Sequence, residues 1–194
     1  MNIIYLHGFK SGSLSIKGQL IQAYCQQHSA DQVHLPDLNM PPEQVLSHVG
    51  EMIQRLDEVV LIGSSLGGFY ATQLVAKYHV PAVLINPAMR PWQLFYDLFD
   101  QVNIPYVVNA QWTLEHTQLD QLKHMAVPFV QDASKILVLL QQGDEILDYR
   151  EAQRYYSFPL HQSMMITEAK GSHAMNNFVD KIPMALQFLS DCIK

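Results

Sequence analysis

The sequence predicts an α/β fold: a mostly parallel central sheet of about six strands, flanked by helices, with a helical and aromatic insertion. Three observations carry this. Short runs of aliphatic and β-branched residues recur at 3–6, 33–35, 59–62, 81–85, 136–140 and 164–167, and most are apolar at consecutive positions, as in strands buried on both faces. Stretches with apolar side chains at helical spacing lie between them, which is the sign of parallel βαβ units with right-handed crossovers. Between the run Val59-Val60-Leu61-Ile62 and a helix-like stretch over 69–78 sits Gly63-Ser64-Ser65-Leu66-Gly67, followed by Gly68. This is G-x-S-x-G with a buried strand before it and a helix after it.

Bulk composition narrows the possibilities. At 194 residues the chain fits one domain over 1–194, and 48% apolar against 15% charged residues marks a globular protein with a real core. A net charge of −6, without any lysine or arginine cluster, argues against nucleic acid or an anionic membrane as the main partner. Cys25 and Cys192 lie far apart with no C-x-x-C spacing, which suits free thiols in a reducing compartment. The opening Asn2-Ile3-Ile4-Tyr5-Leu6 is too short for a secretion signal, and no apolar run approaches the roughly 20 residues of a membrane span. The expectation is a cytoplasmic protein acting on a small molecule, with no cofactor and no membrane association.

Taken in order, the strand at 3–6 ends in His7-Gly8-Phe9. A helix over 15–28 places Ile16, Leu20, Ile21 and Tyr24 on its apolar side, and the strand at 33–35 stops at Pro36-Asp37. Pro41-Pro42 opens a helix with Val45, Val49, Met52, Ile53 and Leu56 on one stripe, since proline is tolerated in the first turn. The serine turn and its helix follow, and then the strand at 81–85, closed by Asn86-Pro87-Ala88.

Between 89 and 130 the rhythm changes. This segment holds Trp92 and Trp112 with Phe95, Tyr96, Phe99, Tyr106 and Phe129, and its single strand-like candidate is Tyr106-Val107-Val108. Two readings stay open, a cap-like or pocket-forming insertion and an ordinary packing layer of helices. The sheet resumes at 136–140 and runs into Gly143-Asp144-Glu145-Ile146-Leu147-Asp148-Tyr149. A short helix over 150–156, the strand at 164–167, the loop Gly171-Ser172-His173 and a terminal helix over 174–193 complete the chain. In that last helix Phe178, Ile182, Leu186 and Leu189 face inward.

The chemistry is argued from roles. Glycines at 63 and 67 leave room for a strand to reverse directly into a helix, which strains the central Ser65 and exposes its hydroxyl at the sheet's edge. The helix start behind it directs N–H groups at the same place. Serine acyl transfer needs a base and a carboxylate that holds the base in one tautomer. Ser65, Asp144 and His173 each follow an expected strand, in the chain order Ser, Asp, His. Asp144 comes earliest after its strand, with Ile146-Leu147 expected to anchor the loop inward; Glu145 and Asp148 are its rivals, Asp148 being suited to cap the next helix. The backbone amides of Phe9 and Leu66 are the expected oxyanion donors. His7 reads as a structural imidazole that shapes its loop. The nine histidines, His116 and His124 included, form no HExxH and no Cys/His pairing, so no metal site is expected.

With His7-Gly8-Phe9, Gly63-Ser64-Ser65-Leu66-Gly67-Gly68-Phe69-Tyr70, Gly143-Asp144-Glu145-Ile146-Leu147-Asp148-Tyr149 and Gly171-Ser172-His173 in view, the chain resembles an α/β-hydrolase. More narrowly, it resembles the small bacterial YqiA/YcfP-like esterases, over essentially its whole length. The resemblance implies a cytoplasmic carboxylic-ester hydrolase of minimal size, lacking the extra N-terminal strands of larger relatives, with its triad at Ser65, Asp144 and His173. Thioester cleavage by the same machinery, as of an acyl-CoA, and a non-catalytic binding protein that keeps the pocket are the alternatives.

Overall fold

The computed structural model describes residues 1–99 and 103–193, and it places a strand at each of the six apolar runs. In chain order these are β1 (Asn2–Leu6), β2 (Gln32–His34), β3 (Val59–Ser64) and β4 (Ala82–Ile85). A short ribbon, β5 (Tyr106–Val107) with β6 (Thr113–Leu114), precedes β7 (Ile136–Gln141), and a second, β8 (Ser157–Phe158) with β9 (His161–Gln162), precedes β10 (Met164–Glu168). The main sheet runs β10-β7-β4-β3-β1-β2, and every pairing in it is parallel.

The helices are α1 (Ile16–His28), α2 (Pro42–Arg55), α3 (Leu66–Tyr78), α4 (Pro91–Phe99), α5 (His116–Met125), α6 (Tyr149–Tyr156) and α7 (Ile182–Cys192). Local chemistry sets several of their starts. Ser15 Oγ accepts from Gly18 N at 3.2 Å ahead of α1, and Pro42 supplies a first residue of α2 that needs no N–H. Asp148 Oδ1 accepts from Arg150 N at 3.0 Å, so Asp148 caps α6 as expected. Among the described residues no helix is long and apolar enough to cross a membrane.

Period-2 alternation along the strands builds two cores. Ile3, Tyr5, Val60, Ile62, Val83, Ile85, Leu137 and Leu139 face α1 and α7, meeting Ile21, Cys25, Ile182, Leu186 and Leu189. Ile4, Leu6, Leu61, Leu84, Val138 and Leu140 face the other way, toward Val45 and Val49 of α2, Leu74 of α3, Phe95 of α4, Leu119 and Leu122 of α5, and Tyr156 of α6. Each fully buried aliphatic side chain contributes about 1.5–3 kcal/mol, so these layers fix where the strand ends lie.

Topology then positions the site. From β1 the chain steps outward to β2 by way of α1, and from β2 it returns across β1 to β3 by way of α2 on the opposite face. Right-handed crossovers in opposite directions must lie on opposite faces, so β1 and β3 form a switch point with a crevice at their carboxyl ends. His7-Gly8-Phe9 leaves β1 there and Ser65 leaves β3.

Three expectations are corrected. The terminal helix does not begin at 174: residues 178–181 form a 3-10 turn and α7 starts at Ile182. Met175 takes φ 48° and donates to Ser172 O at 3.0 Å, while Pro183 belongs in a first helical turn, so the helix restarts there. The segment 89–130 contains a second strand, β6, paired antiparallel with β5, and the β8-β9 ribbon was not anticipated. Ile16, read with Ile21 on the apolar side of the first helix, opens α1 and is 79% exposed, whereas Ile21 is buried. Residues 100–102 of the expected insertion lie outside the described residues.

Candidate active site

At the end of β3, Ser65 adopts φ 55° and ψ −119°, a positive φ that costs a serine about 1–3 kcal/mol. Four backbone hydrogen bonds hold it there. Ser65 N donates to Ile85 O at 3.0 Å, and Ser65 O accepts from Gly68 N at 2.9 Å, Phe69 N at 3.2 Å and Ala88 N at 3.0 Å. The first turn of α3 is pressed so closely onto the end of β1 that a Cβ on Gly67 would run into the Leu6 carbonyl, and one on Gly63 into the Gly67 carbonyl. The glycine spacing therefore has the steric cause that the sequence suggests.

Ser65, His173 and Asp144 meet in one chain of hydrogen bonds. Ser65 Oγ lies 3.0 Å from His173 Nε2, and His173 Nδ1 lies 2.8 Å from Asp144 Oδ2. A neutral imidazole with a carboxylate at Nδ1 carries its proton on that nitrogen, which leaves Nε2 to accept from the serine hydroxyl. The Asp144 side chain is 2% exposed and that of His173 23%. Asp144 Oδ1 accepts from Ile146 N and Leu147 N, both at 2.8 Å, so the carboxylate itself anchors its loop. Ile146 is 44% exposed and does not anchor it from within, contrary to the sequence reading. Glu145 plays another part: its Oε2 accepts from His173 N at 3.0 Å, which holds its carboxyl below the usual range.

Two buried amides that the sequence reading did not single out tie these loops together. Gln141 ends β7 and Asn86 follows β4, and both are buried. Asn86 Oδ1 accepts from Gln141 N at 2.9 Å, and its Nδ2 donates to the carbonyls of Ser172 and His173, each at 3.2 Å. Gln141 Oε1 accepts from Ser172 N at 2.8 Å, and its Nε2 donates to Glu168 and Asn177. Gly171 sits at φ 94° against the Gln141 amide, where a Cβ would collide with it. A glutamine closing an otherwise apolar strand was the available signal, because a buried amide requires partners.

His7 is occupied by backbone on both sides: Nδ1 donates to Gly8 O at 2.8 Å, and Nε2 accepts from Leu38 N at 2.8 Å. It shapes the loop that brings Gly8 against Ser65, where an added Cβ would stand 3.3 Å from Ser65 Cβ. Phe9 and Leu66 line the same cavity as Ser65 and His173, and among the described residues neither of their backbone N–H groups is engaged by an acceptor.

That cavity measures about 540 Å³, a size suited to a small molecule. Its wall is mostly apolar. From the 89–130 segment, Pro91, Leu94, Phe95 and Leu98 of α4 reach it, whereas Trp112 packs into a ring cluster with Phe9 and Trp92 packs on Phe69. Phe129 lies outside that cavity, stacked on His161 with centroids 4.9 Å apart. The lining side chains Leu14, Ile16, Leu98 and Ile146 are 80%, 79%, 52% and 44% exposed. Beneath Ser64 and Ser15, burial pushes the Tyr5 phenol up to about 12, with those two hydroxyls pulling the other way. No group of three or more metal-ligating side chains occurs among the described residues.

The sequence profile of one family, described as Uncharacterised protein family (UPF0227), matches residues 2–190. Among solved structures, the chain is similar to alpha/beta hydrolase domain-containing protein 10 from mouse, with a TM-score of 0.77 at 15% identity over 100% of this chain and 90% of that one. It is similar to Est1E from Butyrivibrio proteoclasticus, solved with ferulic acid bound, with a TM-score of 0.75 at 15% identity over 99% and 89%. A pyrethroid hydrolase from Sphingobium faniae gives a TM-score of 0.63 at 13% identity over 98% and 97%. At these identities the likeness establishes the α/β-hydrolase fold.

Proposed function

The chain belongs to the UPF0227 family, and we propose from the geometry of its site that it is a serine esterase, hydrolysing carboxylic esters through an acyl-enzyme. The hydrogen-bonded chain Ser65 Oγ, His173 Nε2, His173 Nδ1, Asp144 Oδ2, at 3.0 and 2.8 Å, carries the reading. Ser65 Oγ attacks the ester carbonyl as its proton passes to His173 Nε2. The tetrahedral oxyanion lies against the Phe9 and Leu66 amides, each donor of this kind contributing about 2.7–4 kcal/mol. His173 returns the proton to the departing alkoxide, leaving an acyl-Ser65. Water, giving a proton to His173, then attacks the acyl carbonyl, and His173 returns that proton to the departing Ser65 Oγ as the carboxylic acid is released.

Supporting features extend beyond the three side chains. Asp144 is shielded from water and one of its oxygens is occupied by two amides, which leaves the other directed at the ring. In this reading residues 1–194 act as one domain, the 89–130 segment supplies a pocket wall through α4, and the free thiols of Cys25 and Cys192 suit the cytoplasm. Assaying Ser65→Ala on short 4-nitrophenyl esters tests the proposal. Turnover should fall by several orders of magnitude, and undiminished turnover excludes Ser65 as the nucleophile.

A further inference from the structure

Lys17 lies in the first turn of α1 and lines the cavity that holds Ser65. It is half-buried, and among the described residues it has no ion-pair or hydrogen-bond partner. Three other cations are occupied: Lys10 donates to Tyr106 Oη at 2.7 Å, Lys181 pairs with Glu168, and Arg90 with Glu151. Among the described residues no carboxylate lines the cavity. The two acids nearby in the site are committed elsewhere, Asp144 to the His173 ring and Glu145 to its backbone N–H. Apart from Lys17 and His173 the described wall is apolar or hydroxyl-bearing, and burial pulls the Lys17 ammonium below the ordinary lysine value.

A desolvated cation without a counter-charge is an unsatisfied group, and a ligand that brings the counter-charge gains what the protein withholds. We propose that the esters taken by this site carry a free carboxylate, received by Lys17, while their apolar body lies against Leu94, Phe95 and Leu98. One ammonium balances one negative charge, which fits a carboxylate; a phosphate dianion would leave a charge uncompensated against an apolar wall. This inference rests on the esterase reading above and specifies its substrate class.

Two matched pairs of esters test it, one for each side of the scissile bond. They are mono-4-nitrophenyl glutarate against 4-nitrophenyl pentanoate, and 4-acetoxybenzoate against its methyl ester. The readout is the anionic-to-neutral ratio of kcat/KM within each enzyme, which does not depend on how much of a variant is folded. A charge-assisted contact predicts that in at least one pair the ratio falls about tenfold or more in Lys17→Met, falls further in Lys17→Glu, and is largely kept in Lys17→Arg. Added salt should lower the wild-type ratio as well. Ratios that stay within about twofold in both pairs for Lys17→Met and Lys17→Glu, with wild type cleaving the neutral esters, overturn the role of Lys17 and leave the esterase reading standing. A wild type that cleaves no member of either pair overturns both.

Discussion

Asparagine at position 144 changes a single atom group, and the surrounding hydrogen bonds dictate which way it points. Asp144 Oδ1 accepts from two amides, Ile146 N and Leu147 N, at 2.8 Å each. In Asp144→Asn the amide oxygen has to remain there, since turning the group would set its NH2 against two N–H donors. The NH2 then occupies the Oδ2 position, 2.8 Å from His173 Nδ1, and presents a donor to the ring. The imidazole answers by accepting at Nδ1 and carrying its proton on Nε2, 3.0 Å from Ser65 Oγ, where it cannot take the serine proton. The wrong tautomer should lower kcat by about 10³–10⁴, or about 4–5.5 kcal/mol of barrier, with the loop geometry retained. Stopped assays on 4-nitrophenyl butanoate measure this, with circular dichroism and a thermal melt as controls for folding. Glu145→Gln, which keeps an oxygen for His173 N, should change kcat less than about tenfold. A folded Asp144→Asn enzyme within about tenfold of wild type would refute the assignment of the carboxylate.

Two further outcomes follow from the scaffold. Gly171→Ala places a Cβ at φ 94° and against the Gln141 amide, so it should lower stability by about 1–3 kcal/mol and reduce kcat with it; an unchanged melting temperature contradicts the role given to the Gln141 amide in tying the loops. The Glu168 carboxyl is held at about 2, chiefly by its hydrogen bond from Lys181 and then by Gln141 and Asn177. Because this lies below the unfolded value near about 4.3, its contribution is complete above that pH and is lost as pH falls toward 2. Urea midpoints measured across that acid window should fall less steeply for Glu168→Gln than for wild type, and parallel curves contradict the linkage.

How much was legible in the sequence varies with the kind of constraint. Ser65 could be found because its strain requires glycines at fixed offsets, and the steric cause at Gly67 is local. Asp144 and His173 could be found because a parallel sheet delivers every strand end to one edge, which turns chain order into spatial proximity. Asn86 and Gln141 escaped because their partners lie 27 to 87 residues away, and a single buried amide carries no periodic signal. Ile146 and Ile16 misled for a related reason: an apolar residue announces burial, yet here it edges a cavity. The false start of the terminal helix at 174 came from reading Phe178, Ile182, Leu186 and Leu189 as one stripe. All four are buried, but a 3-10 turn carries the first of them.

A fluorophosphonate probe followed by peptide mass spectrometry tests most directly whether Ser65 is a nucleophile activated by His173. The account predicts a phosphonyl adduct on the peptide bearing Ser65 in the wild type, none in Ser65→Ala, and slow labelling in His173→Ala. An adduct on a different residue, or equal labelling of the wild type and Ser65→Ala, would contradict it.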